Sequence, residues 1–145
     1  MAEMILVIDD EADMLMMLRM LIEDNTGCRV ETTNTPSEGL KRLSEEPFDL
    51  VITDLKMPGM DGLELFSEIK KIAPRLPVIL ITAYGSQEIA DEAVREGITD
   101  FITKPFKKDR ILFSIVRSLE LARLRNENEE LRGKMSKSLR ADGTG

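Results

Sequence analysis

The sequence predicts a doubly wound α/β domain, a five-stranded parallel sheet with helices on both faces. Five short aliphatic or β-branched runs alternate along the chain with five longer amphipathic runs. Alternating units of this kind favour a parallel sheet with right-handed crossovers. The length of 145 residues, of which 42% are hydrophobic, suits one such domain rather than two.

The first unit combines a strand at Met4–Ile8 with a helix over residues 12–24. Apolar residues recur in this helix at helical spacing and predict its buried stripe, which consists of Met14, Leu15, Leu18, Leu21 and Ile22. Met16 and Met20 fall on the opposite side of the helix. They are either isolated exposed methionines or part of a contact surface.

The second unit begins with a short strand at Arg29–Thr33. Thr35, Pro36 and Glu38 supply an N-cap, a proline at the first helical position and a capping-box acid, so we expect a helix to begin here. Cys28 precedes the strand, and we interpret it as a small core residue rather than a reactive thiol. Because it is the only cysteine, an internal disulfide and a thiolate zinc cluster are excluded.

The third unit has a buried strand over residues 50–53, followed by turn residues at 57–62. Asp61 and Glu64 form a second capping-box pattern, which predicts the start of the third helix. This helix is expected to end near Ile72, because prolines follow shortly after it.

The last two units follow the same pattern. Val78–Thr82 is continuously apolar, as expected for a strand that is covered on both faces. A helix over residues 86–96 ends at Gly97, and Asp100–Thr103 is the fifth strand before a final helix that begins near Lys108. The fourth helix has a thin apolar face, formed by Ile89, Ala90, Ala93 and Val94.

The composition excludes several classes of function. The chain has no histidine, which excludes an imidazole general base, histidine metal ligands and a phosphohistidine on this chain. Its net charge of −7 would repel a nucleic-acid duplex, so we expect no direct nucleic acid binding. The apolar runs are too short for a transmembrane helix, and the first ten residues do not resemble a signal peptide. We therefore expect a cytoplasmic protein without a membrane partner.

Polar residues end or directly follow four of the five predicted strands. They are Asp9, Asp10, Glu11, Asp54, Thr82 and Lys104. Because ligands of such sheets bind at the carboxyl ends of the strands, we expect these side chains to converge at one edge. An all-oxygen site of this kind suits Mg²⁺, and a carboxylate can accept a phosphoryl group as an aspartyl phosphate. An ammonium and a hydroxyl would then bind the phosphoryl oxygens.

Each of these residues also has a purely structural interpretation. Asp10 could be the N-cap of the first helix, and Asp54 could be a turn former. Thr82 is an ordinary residue at a strand end, and Lys104 could be a solvated loop lysine. Their occurrence together, in this order on successive strands, favours the functional interpretation.

Four motifs carry a resemblance to a known family. They are IDDE at 8–11, TDLKMPGMDG at 53–62, ITA at 81–83 and ITKPF at 102–106. With this order and spacing, residues 4–120 resemble the receiver domain of a two-component response regulator. The resemblance implies a flavodoxin-like sheet with strand order 2-1-3-4-5. It also implies a phosphoacceptor receiver domain over residues 1–120.

The resemblance assigns roles to the acids at the first and third strands. Asp54 corresponds to the phosphoacceptor and is also a ligand of Mg²⁺. Asp10 corresponds to the acid that binds the metal directly, and Asp9 to the acid that acts through water. The backbone carbonyl of Lys56 corresponds to the remaining protein ligand.

The resemblance also assigns phosphate-binding and switch roles. Thr82 corresponds to the switch hydroxyl, Lys104 to the phosphate-binding lysine, and the backbone N–H of Ala83 to a further phosphoryl donor group. The Lys104–Pro105 bond is expected to be cis. Phe101 corresponds to the aromatic switch residue. Because it lacks a phenolic hydroxyl, any switching must rest on burial of the ring, and the alternative is a core Phe101 that does not move.

Phosphorylation would be converted to output by a change in packing. We expect the phosphoryl donor to be a partner sensor histidine kinase, since this chain has no histidine. Thr82 would move toward the phosphoryl group and Phe101 would follow, while the fourth helix shifts. Lys56 and Tyr84 correspond to the positions that tune the lifetime of the phosphoryl group.

The last helix is predicted to extend beyond the domain. A stripe at spacings of three and four consists of Leu121, Leu124, Asn128, Leu131 and Met135. It predicts a signalling helix or short coiled coil over residues 121–135, in which Asn128 favours a two-stranded register. Because two heptads are marginal, a solvated monomeric helix is the alternative. Residues 136–145 are expected to be a disordered tail or linker.

The sequence thus predicts a non-enzymatic homodimeric signal receiver in a two-component system. Its output would be transcription regulation, through a C-terminal effector domain that is absent from this sequence. A phosphohydrolase of the haloacid dehalogenase type is the enzyme alternative, but it needs a D-x-D pattern after the first strand, where this chain has adjacent aspartates. A pseudo-receiver that only dimerises is the other alternative, although the chain has every acid, threonine and lysine of the pattern.

Overall fold

The computed structural model describes residues 2–83 and 87–143. Five strands and five helices alternate along the chain. In order, they are β1 (Met4–Ile8), α1 (Ala12–Asn25), β2 (Arg29–Thr33), α2 (Pro36–Glu45), β3 (Leu50–Asp54), α3 (Gly62–Ile72), β4 (Val78–Thr82), α4 (Gln87–Glu96), β5 (Asp100–Thr103) and α5 (Lys108–Gly143). The predicted elements are therefore present, and Ser86, where the fourth helix was predicted to begin, lies outside the described residues.

The strands form one parallel sheet in the order β2-β1-β3-β4-β5. This arrangement confirms the predicted fold class and strand order. Buried residues of α1 and α5 pack on one face of the sheet, and buried residues of α2, α3 and α4 pack on the other. Because both faces are covered, all five residues of β3 and all five of β4 are buried.

Local sequence signals account for the start of two helices. The Thr35 hydroxyl accepts a hydrogen bond from the N–H of Glu38 at 3.2 Å, and Asp61 Oδ1 accepts one from the N–H of Glu64 at 2.8 Å. Gly62, which follows the N-cap Asp61, lies where an added Cβ atom would be 2.7 Å from the backbone of Leu55. A glycine here therefore lets α3 begin directly against the end of β3.

The first helix differs from the structural interpretation in which Asp10 is its N-cap. Its N-cap is Glu11, without a side-chain capping bond, so Asp10 is not the helix cap. Leu18 and Ile22 are buried as predicted, whereas Met16 and Met20 are 65% and 58% exposed. Cys28 is half-buried against the core, in agreement with a packing role.

The last helix continues beyond the predicted extension. Its backbone is helical as far as Gly143, and residues 144–145 lie outside the described residues. The physical reason is local. Gly133 costs a helix only about 1 kcal/mol, and the following segment contains no proline. None of the helices in the described ranges is long and apolar enough to span a membrane.

Candidate functional site

The parallel strands bring the predicted site residues to one edge of the sheet. Asp54 and Thr82 are the last residues of β3 and β4, while Asp9 and Lys104 directly follow β1 and β5. In the sheet register Asp54 pairs with Ile81 of β4, and Thr53 pairs with Ile8 at the end of β1. The carboxyl ends of β1, β3 and β4 therefore lie at a similar level. Sequence positions up to about a hundred residues apart therefore meet, as ligand sites of this sheet class require.

Asp54 is the centre of this cluster. Its side chain is buried, and Oδ2 accepts a hydrogen bond from Lys104 Nζ at 2.8 Å. Its other oxygen, Oδ1, accepts one from the N–H of Lys56 at 3.0 Å. The Lys56 bond is a turn interaction, but the bond to Lys104 joins residues fifty positions apart. Asp54 is therefore more than a turn former.

Lys104 is not a solvated loop lysine. Its side chain is only 14% exposed, and Nζ lies 2.8 Å from Asp54 and 3.5 Å from Asp9. Burial alone would lower the pKa of Lys104, but the hydrogen bond to Asp54 and the negative charges of Asp9 and Asp54 raise it. The ammonium therefore stays charged in the position where a phosphoryl group on Asp54 would need a cation.

The acids after β1 form an oxygen-rich group. The carboxylates of Asp9, Asp10 and Glu11 each place an oxygen within 4.8 Å of the others. Burial, together with the negative charges of Asp54 and Glu11, raises the pKa of Asp9 against the opposing effects of the Glu11 N–H bond and the nearby Lys104. Three such carboxylates repel one another unless a cation is shared, and hard oxygen donors suit Mg²⁺. The donor chemistry therefore fits a magnesium ion.

This acidic group differs from the ligand set that the resemblance implies. It consists of Asp9, Asp10 and Glu11, whereas the resemblance implies Asp9, Asp10, Asp54 and the backbone carbonyl of Lys56 as metal residues. Asp54 instead pairs with Lys104, whose Nζ also lies 3.5 Å from Asp9, and the negative charge of Asp54 helps to raise the pKa of Asp9. The sequence signal for Glu11 was its place in the IDDE motif, which the prediction did not use for a ligand.

The remaining predicted residues differ in how deeply they are buried. Thr82 is fully buried, and its carbonyl accepts a hydrogen bond from the backbone N–H of Lys104 at 2.8 Å. Phe101 is half-buried against the core on the α4 side of the sheet. The Lys104–Pro105 peptide bond is cis, as predicted. Ala83 is exposed beside this group, and Tyr84 lies outside the described residues.

Sequence comparison identifies the class of protein to which this site belongs. Residues 5–116 match the family described as the response regulator receiver domain. The chain belongs to this family. The match covers the whole sheet and the first turns of α5, and it leaves the haloacid dehalogenase interpretation without support.

The curated relatives of this receiver domain are transcriptional regulators. The chain is 41% identical over 116 residues to the transcriptional regulatory protein GlrR of Escherichia coli K12, covering 80% of this chain and 26% of GlrR. It is 40% identical over 131 residues to the C4-dicarboxylate transport transcriptional regulatory protein DctD of Rhizobium meliloti, covering 90% of this chain and 28% of DctD. The chain thus spans little more than a quarter of the length of these relatives.

Solved structures agree with the fold. A crystal structure of NtrX from Brucella abortus superposes with a TM-score of 0.84 at 38% identity, covering 90% of this chain and 30% of NtrX. A CheY-like receiver domain from Methanospirillum hungatei gives a TM-score of 0.81 at 30% identity, covering 86% of this chain and 99% of the other. The second comparison shows that a chain of this size forms a complete receiver fold.

Proposed function

We propose that this receiver domain accepts a phosphoryl group on Asp54 from a sensor histidine kinase and thereby controls a transcriptional output. The observation that supports this most directly is the contact at 2.8 Å between the buried Asp54 carboxylate and Lys104, beside the acids that follow β1. A nucleophilic carboxylate, a fixed cation and an acidic group for a metal are the parts that phosphoryl transfer to an acid requires.

In the proposed reaction an Asp54 oxygen attacks the phosphorus atom of the donor. The new bond is between this oxygen and phosphorus, and the bond between phosphorus and the leaving group breaks. With a kinase the leaving group is the neutral imidazole of a phosphohistidine, and with acetyl phosphate it is acetate. Lys104 balances charge on the phosphoryl oxygens, and the Thr82 hydroxyl and the Ala83 N–H donate hydrogen bonds to them.

The metal residues of this proposal are Asp10, Asp54 and the backbone carbonyl of Lys56, with Asp9 acting through water. Glu11 joins them because its carboxylate lies with those of Asp9 and Asp10. When bound, Mg²⁺ would offset the negative charge of the transferring group.

Signalling would follow from a shift between two packings of the same fold. Phosphorylation adds roughly two negative charges, which draw the Thr82 hydroxyl inward. Phe101 then moves into the space that Thr82 leaves, and α4 is free to respond because Ala93 is its only buried residue. The side chains of Lys56 and Tyr84 would tune the lifetime of the phosphoryl group.

The output surface of this proposal is the extension of α5. Leu121, Leu124 and Leu131 are about half exposed, at 48%, 57% and 57%, and Asn128 is exposed between them. Phe113, which is 63% exposed, lies on the same helical face as Leu124 and Leu131, because the spacings of eleven and seven correspond to nearly whole turns. An apolar stripe of this length is favoured as a dimer contact, in which the two helices form a short parallel coiled coil.

The complete protein in the cell would carry an effector domain after this helix, as its transcriptional relatives are about four times longer than the aligned part. Phosphorylation would then change the geometry or the affinity of the dimer and so regulate the effector. We infer a cytoplasmic location for this activity.

The acceptor reaction is tested with acetyl phosphate and the purified chain. We expect intact mass spectrometry to show one added phosphoryl group in the presence of Mg²⁺, and none when EDTA removes the metal. The absence of labelling at millimolar Mg²⁺ would favour a pseudo-receiver that only dimerises.

The dimer is tested by light scattering with Mg²⁺, with and without beryllofluoride as a mimic of the phosphoryl group. We expect a dimer whose stability differs between the two conditions. A monomer at high protein concentration in both conditions would contradict the dimer while leaving the acceptor reaction intact.

A further inference from the structure

A side-chain cluster fastens the edge strand β5 to α5, away from the acidic site. In the described sheet β5 is the last strand and pairs only with β4. It is also the shortest strand, with four residues. On its outer side β5 has no neighbouring strand in the described sheet, as is usual for an edge strand.

Asp100, the first residue of β5, provides this fixation. Its two carboxylate oxygens accept hydrogen bonds from Arg110, at 2.9 Å from Nη1 and 3.1 Å from Nη2. Ser114 Oγ donates a third hydrogen bond at 2.6 Å, and the N–H of Phe101 donates a fourth at 2.8 Å. One carboxylate thus connects β5 with the first and second turns of α5.

The Arg110–Asp100 pair lies at the surface, with side chains 42% and 30% exposed, but two features restrict it. Arg110 binds in the two-pronged geometry that restricts both partners, and Ser114 is buried with 1% exposure. Burial alone would raise the pKa of Asp100, but the bonds from Arg110, Ser114 and Phe101 lower it. The carboxylate is therefore held charged and in one position.

The cluster is adjacent to the switch residue of the proposed function. Side chains alternate along a strand, so Phe101 packs on the α4 side of the sheet while Asp100 reaches α5. Phe101 and Arg110 also line the same surface cleft of about 280 Å³, next to Pro105 and Phe106. Because the Phe101 N–H is bonded to Asp100 Oδ1, a displacement of Phe101 would move one donor of the Asp100 cluster.

We propose that Asp100 is a positioning residue, which through Arg110 and Ser114 transmits the displacement of Phe101 to α5. This inference rests on the proposed function, since it needs phosphorylation at Asp54 to move Phe101. It adds a second route from the acidic site, to α5 rather than to α4. In this arrangement a fixed side-chain contact transmits the phosphorylation state of Asp54 to α5, the helix that extends beyond the domain.

The test is hydrogen exchange measured by mass spectrometry on the full chain, with Mg²⁺ and with or without beryllofluoride. The variants are Asp100→Asn, which leaves Arg110 and Ser114 without a carboxylate acceptor, and the conservative Arg110→Lys. The matched control is Arg42→Gln. Arg42 joins the opposite edge strand β2 to α2 through Glu31 at 3.3 Å, far along the sheet from Phe101.

In the native chain we expect beryllofluoride to change exchange in residues 54–62, in α4 and in residues 108–118 of α5. Asp100→Asn should reduce the change in 108–118 by about threefold or more, while the changes in 54–62 and α4 remain. Arg110→Lys, which keeps the charge but not the two-pronged bond, should lie between Asp100→Asn and the native chain. Arg42→Gln should behave like the native chain.

Two results would overturn the inference while the proposed function stands. One is an unchanged α5 response in Asp100→Asn. The other is that Asp100→Asn speeds exchange in residues 108–118 by the same factor with and without the mimic. A contact with only a structural role would have that effect. If the native chain responds in none of these segments, including 54–62, the proposed function itself is contradicted and this inference fails with it.

Discussion

The acidic site and the part of α5 after Leu119 differ in how much of their surface is buried within the domain. At the site, Asp54 and Thr82 are 7% and 0% exposed, and both oxygens of Asp54 accept hydrogen bonds from within the domain. On α5 after Leu119, Leu124 and Leu131 are each 57% exposed. One region is held in place by its own fold, whereas the other presents apolar surface to solvent.

This difference indicates that the two regions of the chain serve different functions. A reaction at Asp54 needs groups held at fixed distances, and burial in a packed sheet provides them. A helix that signals needs surface that binds something else, so its apolar residues cannot be buried within the domain. Near the start of this exposed stretch, Arg123 forms an ion pair at 2.9 Å with Glu3, which directly precedes β1.

The largest expected effect is at the site itself. Asp54→Asn should abolish Mg²⁺-dependent labelling by acetyl phosphate, because an amide cannot act as the nucleophile. Intact mass spectrometry measures this loss, and Asp24→Asn, at an exposed aspartate near the end of α1, is the control. Stoichiometric labelling of Asp54→Asn would exclude Asp54 as the acceptor.

The second prediction concerns the acidic group. Asp10→Asn should weaken Mg²⁺ binding about tenfold or more, since losing one carboxylate removes on the order of 1.4 kcal/mol of attraction or more. Calorimetric titration with Mg²⁺ measures the change. Glu11→Gln is the comparison variant, and we expect it to have the smaller effect because Glu11 is the most distant along the chain from β1. Equal affinity in Asp10→Asn and the native chain would remove Asp10 from the ligand set.

The third prediction tests the exposed apolar stripe of α5, which contains Leu124. Leu124→Ala should raise the dissociation constant of the dimer about tenfold or more, because burying a leucine against a partner contributes on the order of 2 kcal/mol. Sedimentation or light scattering over a concentration series measures it. Arg125→Ala changes an exposed neighbour and serves as the control. If both variants associate as the native chain does, the stripe is not the dimer contact.

The smallest expected effect concerns stability at the edge of the sheet. Hydrogen bonds hold the pKa of Asp100 below its ordinary value of 3.8 despite burial, so the charged form stabilises the fold. This contribution is present above the ordinary value and disappears as the pH falls through the lowered one. Asp100→Asn should therefore reduce the free energy of unfolding by about 1 kcal/mol at pH 7, and by less near pH 3.

Urea unfolding of the native chain and of Asp100→Asn at both pH values measures this difference. The Arg42→Gln variant provides the same comparison at the other edge of the sheet. A difference that is as large near pH 3 as at pH 7 would show that the effect does not depend on the Asp100 charge.

Several features were predictable because they depend on neighbouring residues. The alternation of elements and the helix starts at Thr35 and Asp61 follow from local spacing and capping, and the structure has them. The family motifs placed Asp54 and Lys104 in one site before any distance was known. The backbone of α5 continues past residue 135, because a single glycine costs a helix only about 1 kcal/mol.

Other features were not predictable from local patterns. The inclusion of Glu11 in the acidic group depends on how the chain turns after β1, and the cluster of Asp100, Arg110 and Ser114 joins residues ten and fourteen positions apart. Nothing in the spacing of these residues distinguishes them from solvated surface groups.

The sequence by itself determined the order of strands and helices, the type of sheet and the identity of the reactive groups, because periodicity and residue chemistry are properties of the chain alone. Only the tertiary structure decided which of these groups touch, how deeply Asp54 and Lys104 are buried, and which apolar residues of α5 stay exposed. Distances between residues that are far apart in sequence arise when the sheet closes, and burial is a property of the whole packed domain.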